Sequence, residues 1–484
     1  MMTTQTPGLA SGVLSFAALA ALLVALILPG VALLTPTDRD EARFMQSAKQ
    51  MVESGDYTRI NFQNEPRDKK PIGAYWAQAA AARMLAGGDL TQAWPYRLPS
   101  MLAGVLAVLV TAWAARNVTA GVVMATTLLV LAEATLAKAD GLLLAASAVV
   151  FAGALRAYTA DTVSTGLKIA FWLALGAGVL IKGPILPGLL ALTLLTLYVS
   201  DRSLAWMKNL SPAWGIVLAL SVVAAWPLVS GWDEVTRFTV SAVGQDLLPK
   251  ILGGMESHGA PPGTHTVLVL ATLWPWSLML PLTLAAAWRM RHRPDLRFCL
   301  TWIAPFWLAL EIAPTKLPHY PLPVFPAFAL LIAATTVKAW TPLRAATHGV
   351  AGIALIAAAL LTAPRVFPVL PTYQQLILSE RLAAALTSLR SPQQPVILVG
   401  YHEPSAVFLL GTETILTNPQ DAAARVAADP KAILVIEQAS LAMFDTHFSA
   451  RNEKLARVAE VSGYNYGRGE AATLIVLKAV ASGP

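Results

Sequence analysis

The chain has 484 residues, of which 56% are hydrophobic and 13% are charged. Soluble domains are about one quarter charged, so this composition, with a mean hydropathy of +0.58, excludes a protein that faces water on all sides. With so few charged residues, the modest net charge of +7 indicates an asymmetry between loops rather than a nucleic-acid-binding patch, and the single cysteine, Cys299, excludes an intrachain disulfide.

The hydropathy pattern predicts about eleven membrane-spanning helices. An apolar run of about 20 residues is long enough to cross a bilayer. The first run, 11–34, has neither the basic start nor the cleavage site of a signal peptide, so we expect a first transmembrane helix there. The other runs are 97–115, 118–136, 141–158, 168–182, 184–200, 211–230, 265–287, 298–312, 322–337 and 348–363. Because several are shorter than about 20 residues, the count is accurate to one or two spans.

Basic residues predict the orientation, because cytoplasmic turns are rich in Lys and Arg. With the N-terminus in the cytoplasm, alternate turns collect Arg116, Arg156, Lys168, Arg202, Lys208, Arg289, Arg291, Arg293, Arg297, Lys338 and Arg344. The same assignment places the C-terminus outside. The outer side then holds the long loop 35–96, several short polar breaks and the tail after Pro364.

The tail differs in character from the rest of the chain. The short apolar runs PVILVGY, AILVIEQ and TLIVLKA alternate with helix-like segments. This pattern is typical of a small α/β domain. We therefore predict two units, a transmembrane module over 1–363 and an outer domain over 364–484.

The first outer loop begins with three crowded acids, Asp38, Asp40 and Glu41. One acid is enough to cap a helix, so the crowding favours a functional carboxylate over capping alone. Apolar side chains then recur at helical spacing, which predicts an amphipathic helix lying on the membrane. They are Ala42, Phe44, Met45, Ala48, Met51 and Val52.

The same loop continues with NEPRDKKPIGAYW, which contains Arg67, Asp68, Lys69, Lys70 and Tyr75. Cations at a membrane surface often reach towards lipid headgroups, and that alternative stays open. The second alternative is a phosphate site, because Lys and Arg neutralise phosphate oxygens.

Further ionisable residues lie at the outer ends of later spans. The segments KADG and IKGP contain Lys138, Asp140 and Lys182, which either pair with one another or line a substrate cavity. The loop VGQDLLPKILGGMESHGAPPG adds Lys250 and His258. The segment TKLPHYPLP adds Lys316, His319 and Tyr320, which prolines hold in a rigid turn.

Together, these motifs resemble the GT-C membrane glycosyltransferases, which include the family 39 protein mannosyltransferases and the family 83 aminoarabinose transferases of lipid A. The resemblance rests on TDRDEARF followed by KKPIGAYW, and on KGP at 182–184 and KLPHYPLPVFP at 316–326. It covers residues 10–330 and implies a polyprenyl-phosphate sugar donor, used on the periplasmic face of the bacterial inner membrane.

The resemblance also implies roles for individual residues. The acid pair of the family falls on Asp40 and Glu41, with the aspartate as the catalytic carboxylate. The phosphate-contacting lysine falls on Lys70, and the glutamate expected before it is Lys69 here, a departure for which Asp68 is a substitute. Lys250 matches a second phosphate contact, and Asp140 and His258 occupy family-like positions.

We therefore expect a mainly α, GT-C-like bundle with a small periplasmic α/β domain. The expected reaction moves a sugar from polyprenyl phosphate to lipid A or another envelope glycan, with inversion and with Asp40 as base. A protein O-mannosyltransferase is one alternative, and a transporter or flippase of lipid-linked sugars is another. The chemistry does not require a metal, although His258 and nearby acids leave a divalent metal open.

Overall fold

The computed structural model describes residues 9–37, 39–160, 162–249, 259–335, 377–391, 394–448 and 455–479. The predicted span 348–363, the boundary at 363/364, and Asp38, Lys250 and His258 lie outside these ranges. Within them the chain forms a large helical module and a small sheet domain, as the sequence predicted.

The helical module contains fifteen α-helices within the described residues. They are α1 (Leu9–Leu33), α2 (Asp40–Ser54), α3 (Gly73–Leu85), α4 (Trp94–Ala115), α5 (Val118–Ala125), α6 (Leu128–Thr135), α7 (Ala139–Thr159), α8 (Thr165–Lys182), α9 (Ile185–Asp201), α10 (Pro212–Ser230), α11 (Trp232–Ser241), α12 (Thr264–Thr272), α13 (Leu280–Arg289), α14 (Pro294–Ile312) and α15 (Phe325–Thr335). A two-stranded hairpin, β1 (Asn61–Phe62) and β2 (Glu65–Pro66), joins α2 to α3.

Helices lie at ten of the eleven predicted spans, and the eleventh is the one outside the described residues. In the part of the chain that the structure describes, five single helices are long and apolar enough to cross a membrane: α1, α4, α7, α8 and α10. Two predicted spans are broken. Helices α5 and α6 meet at an angle of 65°, and α12 meets the helical segment Trp276–Arg289 at 119°.

The two breaks pack against each other, which explains how apolar segments tolerate them. Pro275 lacks an amide N–H and ends the helix before it. The N–H of Leu128 donates to the Trp274 carbonyl at 2.9 Å, and the indole Nε1 of Trp276 donates to Thr126 Oγ1 at 2.9 Å. Polar groups released by each break are thus satisfied within the protein, as an apolar surrounding requires.

The placement of α2 at the membrane surface stays a prediction, but the structure shows what covers its apolar face. Its apolar face is buried against α3 and the C-terminal domain, so protein atoms cover it. The buried face also includes Gln46, Ser47 and Lys49, whose polar atoms are costly to place against hydrocarbon. Period-3.6 patterning identifies a buried face but does not identify what covers it.

The C-terminal domain is a five-stranded mixed sheet with helices α16 (Leu378–Thr387), α17 (Pro404–Leu410), α18 (Pro419–Ala428) and α19 (Gln438–Phe448). Its strands are β3 (Val396–Val399), β4 (Ile415–Thr417), β5 (Ile433–Glu437), β6 (Leu455–Asn465) and β7 (Glu470–Ala479), in the order β4-β3-β5-β7-β6. The first three are parallel, and β7 pairs antiparallel with β5 and β6. Every side chain of β3 and β5 is buried, which explains their continuous apolar runs.

Candidate functional site

The two neighbouring acids at the start of α2 point in different directions. Asp40 occupies the first helical position, and its side chain is 61% exposed. Glu41 is completely buried. Successive helical side chains diverge by about 100°, so one of the two faces the surface while the other enters the protein.

Glu41 binds Arg97 in a bidentate ion pair that no solvent reaches. Arg97 Nε lies 2.8 Å from Glu41 Oε1, and Nη2 lies 3.0 Å from Oε2. The carboxylate also accepts from the N–H and hydroxyl of Thr37 and from the N–H of Ala137. Burial raises the pKa of Glu41, but Arg97 and these hydrogen bonds hold it below its ordinary value. The pair joins the end of α1, the start of α2, α4 and the segment before α7.

Asp40 faces an arginine that an aromatic pair holds in place. Arg67 Nη2 lies 3.6 Å from Asp40 Oδ1, and Arg67 Nε donates to the Tyr75 hydroxyl at 3.2 Å. Tyr75 is buried and stacks on Phe44 with the ring centroids 4.7 Å apart. The predicted substrate-binding residue Tyr75 therefore supports Arg67 from beneath.

Cations on several sides keep Asp40 ionised. Desolvation raises the pKa of Asp40, but the positive charges of Arg67, Lys70 and Lys138 together hold it below its ordinary value. Lys70 is half-buried, and its Nζ donates to the Lys69 carbonyl at 3.0 Å. An ionised, accessible carboxylate is the form that can accept a proton.

The segments KADG, IKGP and KLPHYP meet in space, as their shared side predicted. Lys182 Nζ forms an ion pair with Asp140, and His319 Nε2 lies 3.9 Å from Asp140 Oδ1. The Tyr320 ring centroid lies 5.6 Å from Lys182 Nζ. Burial lowers the pKa of His319 to about 4, although Asp140 raises it, so the imidazole is neutral at pH 7.

Lys138 belongs to the same cluster through a residue that the sequence analysis missed. Its Nζ lies 2.8 Å from Glu133 Oε1, and both side chains are nearly buried. Glu133 precedes the KADG segment, inside an apolar run that predicts a span. Glu133 is the single acid in that apolar stretch, and an isolated acid there usually pairs with another polar group inside the protein, so the sequence could have predicted such a pair.

A cavity of about 380 Å³ opens beside Arg67. Four cations and two acids line it together with Phe62, Pro66, Ser241 and Gln245; the charged residues are Arg43, Glu65, Arg67, Asp68, Lys69 and Arg237. Asp68 pairs with Arg237 at 2.5 Å. Arg237 comes from α11, far along the chain, so sequence reasoning could not place it here.

Lys316 has contacts that differ from those of the other predicted site residues. Its Nζ donates to the carbonyls of Leu310, Glu311 and Ala313 at the end of α14. A lysine in this position satisfies carbonyls that a helix end leaves unpaired. Within the described residues, no group of three His, Cys, Asp or Glu side chains is placed to hold a metal ion. The loop that contains Glu256 and His258 lies outside them.

Comparisons with known proteins support the resemblance seen in the motifs. No protein-family model matches the chain. The undecaprenyl phosphate-α-4-amino-4-deoxy-L-arabinose arabinosyl transferase of Serratia proteamaculans is 26% identical over 305 residues, which are 61% of this chain and 54% of that protein. The enzyme of the same name from Yersinia enterocolitica is 27% identical over 307 residues, with the same coverage. The chain thus matches about half the length of these curated relatives.

Solved structures extend the similarity to the whole fold. The crystal structure of ArnT from Cupriavidus metallidurans bound to undecaprenyl phosphate aligns with a TM-score of 0.72, at 18% identity, over 99% of this chain and 100% of that one. The oligosaccharyltransferase of Archaeoglobus fulgidus aligns with a TM-score of 0.52, at 12% identity, over 88% and 69%. The predicted GT-C-like architecture is confirmed.

Proposed function

We propose that this chain is a membrane glycosyltransferase that moves a sugar from a polyprenyl-phosphate donor to an acceptor of the cell envelope. One observation carries the proposal: the exposed carboxylate of Asp40 lies 3.6 Å from the Arg67 guanidinium, and the charges of Lys70 and Lys138 also act on it. The attacking acceptor group loses a proton, and the departing lipid phosphate gains charge. A carboxylate serves the first need and fixed cations serve the second.

The donor side of the proposal involves two lysines, of which Lys250 lies outside the described residues. Lys70 is assigned to the donor phosphate, with Lys250 as the second contact. The names of the relatives and the undecaprenyl phosphate bound in the similar crystal structure support a polyprenyl phosphate donor. Because those relatives are named for aminoarabinose, that sugar is the first donor to test.

The acceptor side of the proposal uses the cavity beside Arg67. Its lining of four cations and two acids suits an acceptor that carries phosphate groups, such as lipid A. A single displacement at the anomeric carbon, with Asp40 as base, inverts the sugar. Glu41 is assigned to positioning, because its hydrogen bonds to Arg97 and Ala137 hold helices together.

The orientation belongs to the same proposal. The site end of the bundle faces the periplasm, and both the N-terminus and the basic turns face the cytoplasm. Two arginines support this assignment: Arg156 lies near the C-terminal end of α7, and Arg297 lies near the start of α14. A reporter active only in the periplasm should be active when fused after Gly263 and silent near Arg293.

The function is tested with purified full-length chain in lipid nanodiscs. The substrates are undecaprenyl-phosphate-linked aminoarabinose and lipid A, and mass spectrometry measures both glycosylated product and released undecaprenyl phosphate. We expect Asp40→Asn to lower transfer by about 100-fold or more, as is typical of general-base loss. The matched control is Asp56→Asn, an exposed acid just beyond the other end of α2, which should retain activity.

Two outcomes would contradict the proposal. An Asp40→Asn variant with wild-type transfer would place the base elsewhere. The second assay uses sealed vesicles that contain lipid A and other envelope glycans or peptides as acceptors. Movement of the donor across the vesicle membrane without release of undecaprenyl phosphate would favour a transporter.

A further inference from the structure

The C-terminal domain contacts the middle of α2, the helix that carries Asp40. Lys49, only 3% exposed, donates from Nζ to the Phe408 carbonyl at 2.9 Å. The Thr412 hydroxyl accepts from Gln46 Nε2 at 2.8 Å and donates to Glu53 Oε2 at 2.6 Å. Three side chains on successive turns of α2 are therefore bonded to one short segment of the sheet domain.

A buried aromatic side chain makes this contact part of the helical core. Phe408 lies in α17 of the C-terminal domain, yet it is completely buried within the hydrophobic core of the helical module. Its ring meets Tyr96 edge-on, with centroids 5.5 Å apart. Burial of this apolar side chain favours the docked position of the domain.

A second contact holds the residue directly before Asp40. The Arg39 guanidinium donates to the Gly467 carbonyl in the turn between β6 and β7. Arg39 has φ 67° and ψ −98°, a backbone conformation that residues other than glycine rarely adopt. Such residues persist where their surroundings hold them, and they are enriched at functional sites.

The turn that receives Arg39 is itself fixed to the sheet. Arg468 donates to the Gly400 carbonyl at 3.1 Å and forms ion pairs with Glu437 and Glu470. Gly400 and Glu437 lie at the carboxyl ends of β3 and β5, where the strand order reverses. Open α/β sheets commonly bind ligands at this crevice. Here an arginine of the chain occupies it and anchors the turn.

From these contacts we infer that the C-terminal domain positions the catalytic carboxylate. It holds α2 at the start through Arg39 and Gly467, and along its length through Thr412 and Lys49. Arg39 and Thr412 are therefore positioning residues that act on Asp40 through the backbone of α2. The inference rests on the proposed function only in taking Asp40 as the base.

Four variants of the full-length chain test this inference. Thr412→Val removes both hydrogen bonds and keeps the shape, while Thr412→Ser keeps the hydroxyl. Arg39→Gly removes the side chain and relieves the backbone conformation, so it should not lower the unfolding temperature. Arg457→Ala removes an exposed ion pair elsewhere on β6 and serves as the control.

We expect Thr412→Val and Arg39→Gly to lower kcat by about 10-fold or more, because small displacements of a reacting group are costly. KM and the binding of undecaprenyl phosphate should stay within about twofold, since a misplaced base affects the transition state rather than donor binding. Hydrogen exchange of the amides at 40–47 should accelerate in both variants. Thr412→Ser and Arg457→Ala should match the wild type.

The inference is overturned if Thr412→Val and Arg39→Gly keep wild-type kcat and exchange. It is also overturned if every loss of kcat follows a matching loss of unfolding temperature, because the contacts would then serve stability alone. An active Asp40→Asn would overturn the proposed function instead, and accelerated exchange in the two variants would still show that the domain holds α2.

Discussion

The two ends of the helical bundle both carry many charges, but they hold them differently. At the end that carries the Lys- and Arg-rich turns, here called the basic end, Arg293 pairs with Asp295 at 2.7 Å, and both side chains are more than 40% exposed. At the site end, Glu41 and Arg97 are completely buried, and Asp140 and Lys182 are nearly so. Exposed ion pairs tolerate substitution, whereas buried ion pairs fix the geometry of the side chains around them. Burial therefore distinguishes the charged residues of the candidate site from the basic residues that set the membrane orientation better than charge alone does.

The largest effect is expected from breaking the buried pair. Glu41→Ala leaves Arg97 charged, buried and unpaired, and should lower the free energy of unfolding by about 3–5 kcal/mol. Thermal unfolding in detergent checks this, with Asp40→Ala as the control on the adjacent residue. A Glu41→Ala protein that is as stable as Asp40→Ala, yet inactive, would instead favour a direct catalytic role for Glu41.

A smaller effect is expected at the second cluster of the site end. Asp140→Asn keeps the side-chain shape but weakens the contacts to Lys182 and His319. Charge-assisted hydrogen bonds contribute about 1.5–3 kcal/mol, so transfer should fall about tenfold or more while the protein still folds. Unchanged transfer would assign the cluster to structure alone.

The pH profile sharpens the comparison at Asp40. A base works in its ionised form, so activity is lost as pH falls through its pKa. Because neighbouring cations hold the pKa of Asp40 below its ordinary value, the acid limb of the wild-type kcat/KM profile should lie at a lower pH than an ordinary aspartate would give.

Arg67→Ala removes the cation nearest to Asp40, so the acid limb should move to higher pH. Arg83→Ala serves as its control, because Arg83 contacts the exposed hydroxyl of Tyr57. If both variants share the wild-type limb, Arg67 does not set the ionisation of the base.

The smallest effect is expected at the basic end. Arg293→Ala breaks an exposed pair and should change the free energy of unfolding by about 0.5 kcal/mol or less, without affecting transfer. A large loss of unfolding free energy or of transfer activity would show that exposure of ion pairs does not distinguish the basic end from the site end of the bundle.

Much of the site could be predicted because hydropathy divides this chain so clearly. Four of its polar residues stand beside apolar runs, and that position alone assigned them to one end of the bundle: Asp40, Asp140, Lys182 and His319. Arg97 was missed because it closely follows a proline at the start of an apolar run and resembles a helix-flanking cation. Arg237 was missed because only the docking of α11 brings it to Asp68.

The sequence by itself determined the membrane character and the helical and sheet units, and it predicted the end of the bundle where the candidate site lies, because apolar length and residue type act locally along the chain. Only the tertiary structure decided which of two adjacent acids is open, since that depends on Arg97 and Ala137 closing over Glu41. It also decided that protein covers α2. Packing between segments hundreds of residues apart, such as Lys49 on Phe408, leaves no local pattern in the sequence.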